Sequence, residues 1–214
     1  MNAASTPEAA YDAGPFVPED ADLAGLARAA ADCRGCPLHE AATRTVFGEG
    51  SPDARVVLIG EQPGDQEDRQ GHPFVGPAGR ELSRALEEAG IDPELAYITN
   101  AVKHFKFTVR EERGKRRMHE SPSLREVRAC RPWLDAELSL LAPDLVVALG
   151  ATAARGLLGS DFRLTRHRGE LQPGNPPVLA TIHPSAVLRS PDRGAMHASL
   201  VSDLTVAART LAGT

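Results

Sequence analysis

His119 ends the stretch KRRMH (115–119), in which Lys115, Arg116 and Arg117 crowd one imidazole. A neutral imidazole is a base or a nucleophile. Cations beside it oppose its protonation and offer charge to phosphates. From Lys103 to His119 the chain holds seven lysines and arginines against Glu111 and Glu112, a local +5 in a protein whose total is -5. Phosphates respond to the field within about 10 Å, so one face of an acidic protein can still hold a polyanion. A solvated loop is the competing reading of the same run.

A second group of reactive residues follows short apolar runs. In GEQPG (60–64) two glycines and a proline let backbone amides approach a ligand, while Glu61, Gln62 and Asp65 supply polar side chains; Gly64 is one of the close-approach positions. The stretch is neither a Walker loop nor a GxGxxG fingerprint. Phe74, in a loop rich in glycine and proline, suits stacking on a planar base or anchoring a core. Asn100 offers a donor and an acceptor to a base edge, or terminates a strand as a turn residue. His183 in HPS follows another apolar run and reads as a catalytic or a structural histidine.

The third group is soft. Cys33 and Cys36 in CRGC are spaced as metal ligands or a redox pair, and Cys130 is a third thiol. A four-coordinate thiolate centre needs one more ligand, for which His104 and His39 are the candidates. Zinc and iron–sulfur are not separable on spacing alone.

These residues need a frame. RVVLIG (55–60), AYITNAV (96–102), DLVVALG (144–150) and PPVLATIHP (176–184) are continuous apolar runs, as expected of strands covered on both faces. Helical patterns occupy about 22–33, 78–90, 123–141, 151–158 and 196–211. Strands alternating with helices predict an α/β fold, a three-layer α/β/α sandwich around a four-stranded, mainly parallel sheet. Open sheets of this kind bind ligands beyond the carboxyl ends of their strands, where GEQPG, Asn100, GATA (150–153) and HPS all fall. Residues 1–20, rich in alanine, proline and acid, read as a disordered leader to a single domain over 21–214. No run approaches the ~20 apolar residues of a membrane span and the N-terminus lacks the parts of a signal peptide, so a cytoplasmic protein is expected.

GEQPGDQED, HPFVGPAG, TNAVKHFKF, ACRPWL and HPS, in that order, resemble the iron–sulfur uracil-DNA glycosylases of family 4. KHFKF followed by KRRMH is more similar to the UdgX-type branch, whose members become covalently linked to DNA; Met118 stands where that branch usually has Ile. The resemblance runs from about residue 30 to 210. It implies excision of uracil from DNA, with single strands preferred, free uracil as product and a monomeric enzyme. It implies a [4Fe–4S] cluster on Cys33, Cys36, Cys130 and His104, the last standing where conventional relatives have a cysteine. It implies that Phe74 stacks on uracil, that Asn100 reads its edge, and that His183 and amides near Gln62 and Gly64 stabilise the leaving base. It further implies that Glu61 orients His119 or water, that His119 attacks C1′, and that Lys115, Arg116 and Arg117 hold the DNA backbone. The alternatives are a conventional turnover glycosylase and a non-catalytic iron–sulfur DNA-binding module.

Overall fold

The computed structural model describes residues 11–110 and 116–213. Its helices are α1 (Leu23–Ala30), α2 (Leu38–Ala41), α3 (Asp65–Gln70), α4 (Pro77–Ala89), α5 (Leu124–Leu141), α6 (Ala151–Leu158), α7 (Leu164–His167), α8 (Pro184–Arg189) and α9 (Arg193–Ala212). Its strands are β1 (Glu49–Gly50), β2 (Val56–Gly60), β3 (Ala96–Asn100), β4 (Phe107–Arg110), β5 (Arg116–His119), β6 (Leu145–Leu149), β7 (Leu171–Gln172) and β8 (Val178–Thr181).

The main sheet runs β1-β3-β2-β6-β8-β7. Its four inner strands are parallel and are the four apolar runs, while β1 and β7 add short antiparallel edges. The expected sheet of four strands therefore becomes six. Two-residue edges carry no apolar period from which to read them.

Side chains alternate between two cores, as a pleated strand dictates. Val57, Ile59, Val146 and Ala148 face the layer of α1, α5 and α6 around Trp133. Val56, Leu58, Val147 and Leu179 face the layer of α4 and α9, with Leu82, Leu200 and Leu204. Every residue of β2 and β6 is buried. Truncating one of these leucines would cost about 2–5 kcal/mol, so the strand ends are held rigidly.

The helices begin where their sequences allow. Ser123 and Glu126 form a reciprocal capping box on α5, and Asp22 accepts from Gly25 N–H (2.6 Å) to cap α1.

The leader expectation needs correction for residues 11–20. Ala13 is buried, its N–H donates to the Ala129 carbonyl of α5 (2.9 Å), and the Arg125 guanidinium lies 3.8 Å from the Tyr11 ring centre. Tyr11, Phe16 and Val17 give this stretch an apolar face that its acid and proline content masks. Residues 1–10 lie outside the described residues. Among the described residues no helix is long and apolar enough to cross a membrane.

Candidate active site

The carboxyl ends of β2, β3, β6 and β8 open into one cavity of about 760 Å³. Glu61, Gln62, Gly64, Phe74, Asn100, His119 and His183 all line it. Seven residues drawn from most of the chain's length thus converge because parallel strands deliver their following loops to the same edge.

Asn100, the last residue of β3, is buried, and its Oδ1 has no hydrogen-bond partner. The backbone behind it is fixed by Lys103, whose ammonium donates to the Asn100 carbonyl (3.0 Å), Thr99 Oγ1 (2.6 Å) and Glu137 Oε2 (2.5 Å). Phe74 adopts a left-handed backbone (φ 55°), and its ring stacks on His183 with centroids 6.0 Å apart. Gly60 makes room for this arrangement, since a Cβ there would lie 2.7 Å from the Phe74 ring.

His183 caps α8, and its Nδ1 receives Ser185 N–H at 3.1 Å. That bond leaves the proton of the neutral ring on Nε2. Burial, aided by the charges of Arg189 and His119, pulls the His183 pKa down to about 4. The cavity wall thus presents an uncharged N–H donor at neutral pH.

Glu61 is held between two elements. Thr152 of α6 donates its hydroxyl to Oε2, and Oε1 lies 3.5 Å from His119 Nε2 on β5. Thr152 was not singled out from the sequence, although GATA was noted. A hydroxyl in a helix's first turn after a buried strand is the only signal it gives.

β4 and β5 form a hairpin with register Phe107↔His119, Val109↔Arg117 and Arg110↔Arg116. Alternation puts Arg117 and His119 on one face and Arg116 on the other. Arg117 is committed inward: Nε donates to Asp65, Nη1 to the fully buried Asp68 (2.6 Å) and to Thr43 Oγ1 (3.0 Å), and the guanidinium lies over Phe105 and Phe107. Gln62 staples the hairpin's base, donating to the carbonyls of Lys106 (3.1 Å) and Glu120 (3.0 Å) and accepting from Lys106 N–H. Gly64 N–H donates to Glu67 Oε2 (2.9 Å).

These contacts revise several sequence expectations. Asp65 and Arg117 serve each other rather than lining the cavity. The side chain of Gln62 positions the hairpin, and the Gly64 amide is occupied. Arg116 is exposed, and Lys115 lies outside the described residues. Of the charges expected to crowd His119, Arg117 is neutralised by carboxylates, and the charge facing the ring is Glu61.

Residues 47–205 match the Uracil DNA glycosylase superfamily. The chain belongs to that superfamily. It is 40% identical over 161 residues to the type-4 uracil-DNA glycosylase of Thermotoga maritima, spanning 74% of this chain and 79% of that protein. Identity to the type-4 uracil-DNA glycosylase of Pyrobaculum aerophilum is 33% over 179 residues, 79% of this chain and 86% of that one. The type-5 enzyme of Thermus thermophilus is 33% identical over 192 residues, covering 79% and 81%. The crystal structure of Pedobacter heparinus SMUG2 shares the fold, with a TM-score of 0.55 at 13% identity over 76% of this chain and 77% of that one.

Outside the cavity, this superfamily member gathers Cys33, Cys36 and Cys130 in the core around Trp133. Cys33 also lines a smaller pocket of about 210 Å³ with His39 and His104. Among the described residues no three such donors close on a point as a single metal ion requires. The donors do suit a larger group. Trp133 Nε1 donates to Cys33 Sγ (3.2 Å) and Lys103 N–H to Cys130 Sγ (3.3 Å), the kind of bonds that steady ligating sulfurs.

Burial pushes the Cys130 thiol up to about 12 and raises Cys36, so their thiolates call for a cationic centre. Burial, with His39, lowers His104 to about 4 and keeps it neutral. Thr45 spends its one hydroxyl proton on the Ala30 carbonyl and so accepts from His104 Nε2, which leaves Nδ1 as the free lone pair.

Proposed function

We propose that this protein excises uracil from DNA and that His119 then bonds covalently to the sugar. Asn100 Oδ1 carries the reading of the base. Among the described residues it is the one buried side-chain N or O atom without a partner, and it belongs to the cavity. Such an orphan acceptor costs about 1–3 kcal/mol, which a ligand N–H would offset. Uracil offers N3–H there, whereas cytosine would oppose a lone pair to it. Phe74 supplies a stacking face.

The neutral Nε2–H of His183 suits charge that develops on a uracil carbonyl as the base departs. The C1′–N1 bond breaks, its electron pair leaves with the base, and C1′ becomes an oxocarbenium ion. Glu61, held by Thr152, sets a negative charge against that cation. A ring nitrogen of His119 then donates its lone pair to C1′. The imidazolium so formed releases its N–H proton to solvent, directly or through Glu61, and the uracil anion takes one up.

The reading of His119 rests on its position: it is on the cavity lining, half exposed, and 3.5 Å from Glu61. Single strands are the preferred substrate in this proposal, because extracting a base from a duplex adds a few kcal/mol. Cys33, Cys36, Cys130 and His104 would hold a [4Fe–4S] cluster, which when bound supplies a brace across the segments after α1 and β3 and helix α5. An absorbance band near 400 nm with acid-labile sulfide checks that assignment; zinc in its place would end it.

Incubation with a uracil-containing single-stranded oligonucleotide tests the whole proposal on a denaturing gel. The expected result is a one-to-one adduct, lost in His119→Ala while free uracil is still released. Multiple turnover without an adduct would leave an ordinary glycosylase. Tight binding with uracil retained would overturn the enzymatic reading.

A further inference from the structure

The excision reading requires a polyanion to approach a cavity lined by two carboxylates, Glu61 and Glu67. The basic hairpin was the expected source of compensating charge, but its described members are largely spent. Arg117 is bound to Asp65 and Asp68. Lys106 pairs with Glu126 (3.1 Å) and Glu120 (3.5 Å). Lys103 is buried against Glu137. Arg116 and Arg110 oppose each other on the hairpin face that does not carry His119.

Among the described residues lining the cavity, one is a lysine or arginine: Arg189, at the last turn of α8. It is exposed, and no carboxylate pairs with it among the described residues. It shares the cavity lining with Ser185 and, from the hairpin side, with His119 and Ser121. It lies close enough to His183 for its charge to act on that ring.

We propose that Arg189 is a positioning residue that binds a DNA phosphate flanking the target nucleotide, so that the sugar is presented between His183 and His119. This rests on the excision reading above and names, among the described residues of the cavity, a cation for the substrate's backbone. A guanidinium with all five donors free suits a phosphate better than a lysine, because it can engage two oxygens at once. A phosphate seated there would also shield His183 from the positive charge of Arg189 without adding a proton donor beside the leaving base.

The test is a coupling experiment on the holoenzyme with single-stranded uracil oligonucleotides, measured as uracil release and as equilibrium binding over a salt series. Arg189→Gln should weaken binding roughly tenfold and reduce the slope of log K against log salt by about 0.7, the value for one phosphate contact on a single strand. Arg189→Lys should keep the slope and lose part of the affinity. Replacing one linkage beside the uridine, 5′ or 3′, by a neutral methylphosphonate should weaken the wild type by a similar factor and leave Arg189→Gln indifferent at that linkage. The proposal is overturned if the slope is unchanged in Arg189→Gln, if the loss is confined to kcat, or if both methylphosphonates weaken variant and wild type equally. Wild-type protein that releases no uracil at all would instead defeat the excision reading, while the salt series would still report the phosphate contact.

Discussion

Replacing Arg117 by Ala asks whether the hairpin carrying His119 is held by the ion pairs behind it. The guanidinium is mostly buried, and one of its partners, Asp68, is fully so. Without Arg117, Asp68 keeps the Thr43 N–H (2.9 Å) as its described hydrogen bond. Leaving a buried carboxylate unpaired costs about 3–5 kcal/mol. Each ring under the guanidinium, at 5.5 and 4.9 Å, adds about 0.5–1 kcal/mol. Asp65 is too exposed for its pair to add much.

If β4 and β5 absorb this cost by opening, their local equilibrium shifts by at least about a hundredfold, since 1.4 kcal/mol is a factor of ten. His119 then leaves Glu61, whereas Asn100, Phe74 and His183 stay on other elements. Adduct formation should fall at least tenfold and uracil release should fall less. Amide exchange across 107–110 and 116–119 should quicken in parallel, with Arg117→Lys intermediate because it keeps charge but not the planar fork. Wild-type adduct rate together with wild-type protection in Arg117→Ala would refute the reasoning.

Three further outcomes follow from the same contacts. Gln62→Ala removes the partner of the Lys106 N–H and one donor each from the Glu120 and Lys106 carbonyls, the latter keeping the Glu120 N–H (3.1 Å), so it should loosen the hairpin by about 1–3 kcal/mol and accelerate amide exchange at its base without lowering helix content by circular dichroism. In Gly79→Ala the new Cβ would overlap the Phe74 carbonyl, which is backbone and cannot step aside; melting temperature and uracil affinity should both drop. His183, held near 4 against an ordinary 6.5, refuses a proton that the unfolded chain accepts. Stability should therefore decline as pH falls from about 6.5 toward 4, by about 2 kcal/mol between pH 7.5 and 5. Urea unfolding of His183→Asn should show a loss over that range smaller by this amount, and equal losses would contradict the burial of a neutral ring.

Much of the cavity was legible because its residues sit at the ends of buried parallel strands, a position that continuous apolar runs betray. Asn100 ends β3, and Glu61 and His183 follow β2 and β8, in this way. Their partners were not legible, because side-chain pairing is set by tertiary distance. Gln62 meets residues 44 and 58 positions away, and Arg117 meets carboxylates 52 and 49 positions away. β4 and β5 were not among the predicted strands, since each has only four residues, mostly exposed, and the apolar–polar alternation of Phe107 to Arg110 is too short to stand out. Helices of four to six residues, such as α2, α3 and α8, are too short to show a period.

The acids of α3 show where part of the basic segment's charge goes. Asp65 and Asp68 take up Arg117, while Glu67 binds the amides of Gly64 and Gly76, so all three are spent on structure. The local +5 of the basic segment is thereby reduced at the cavity, because each cation that folds the hairpin against a carboxylate no longer attracts DNA from solution. Among the described residues of the cavity wall, the cation that no carboxylate claims is Arg189 of α8, which shares that wall with the imidazole. A basic loop thus builds the platform for His119, and the phosphate contact passes to a residue some seventy positions further along the chain.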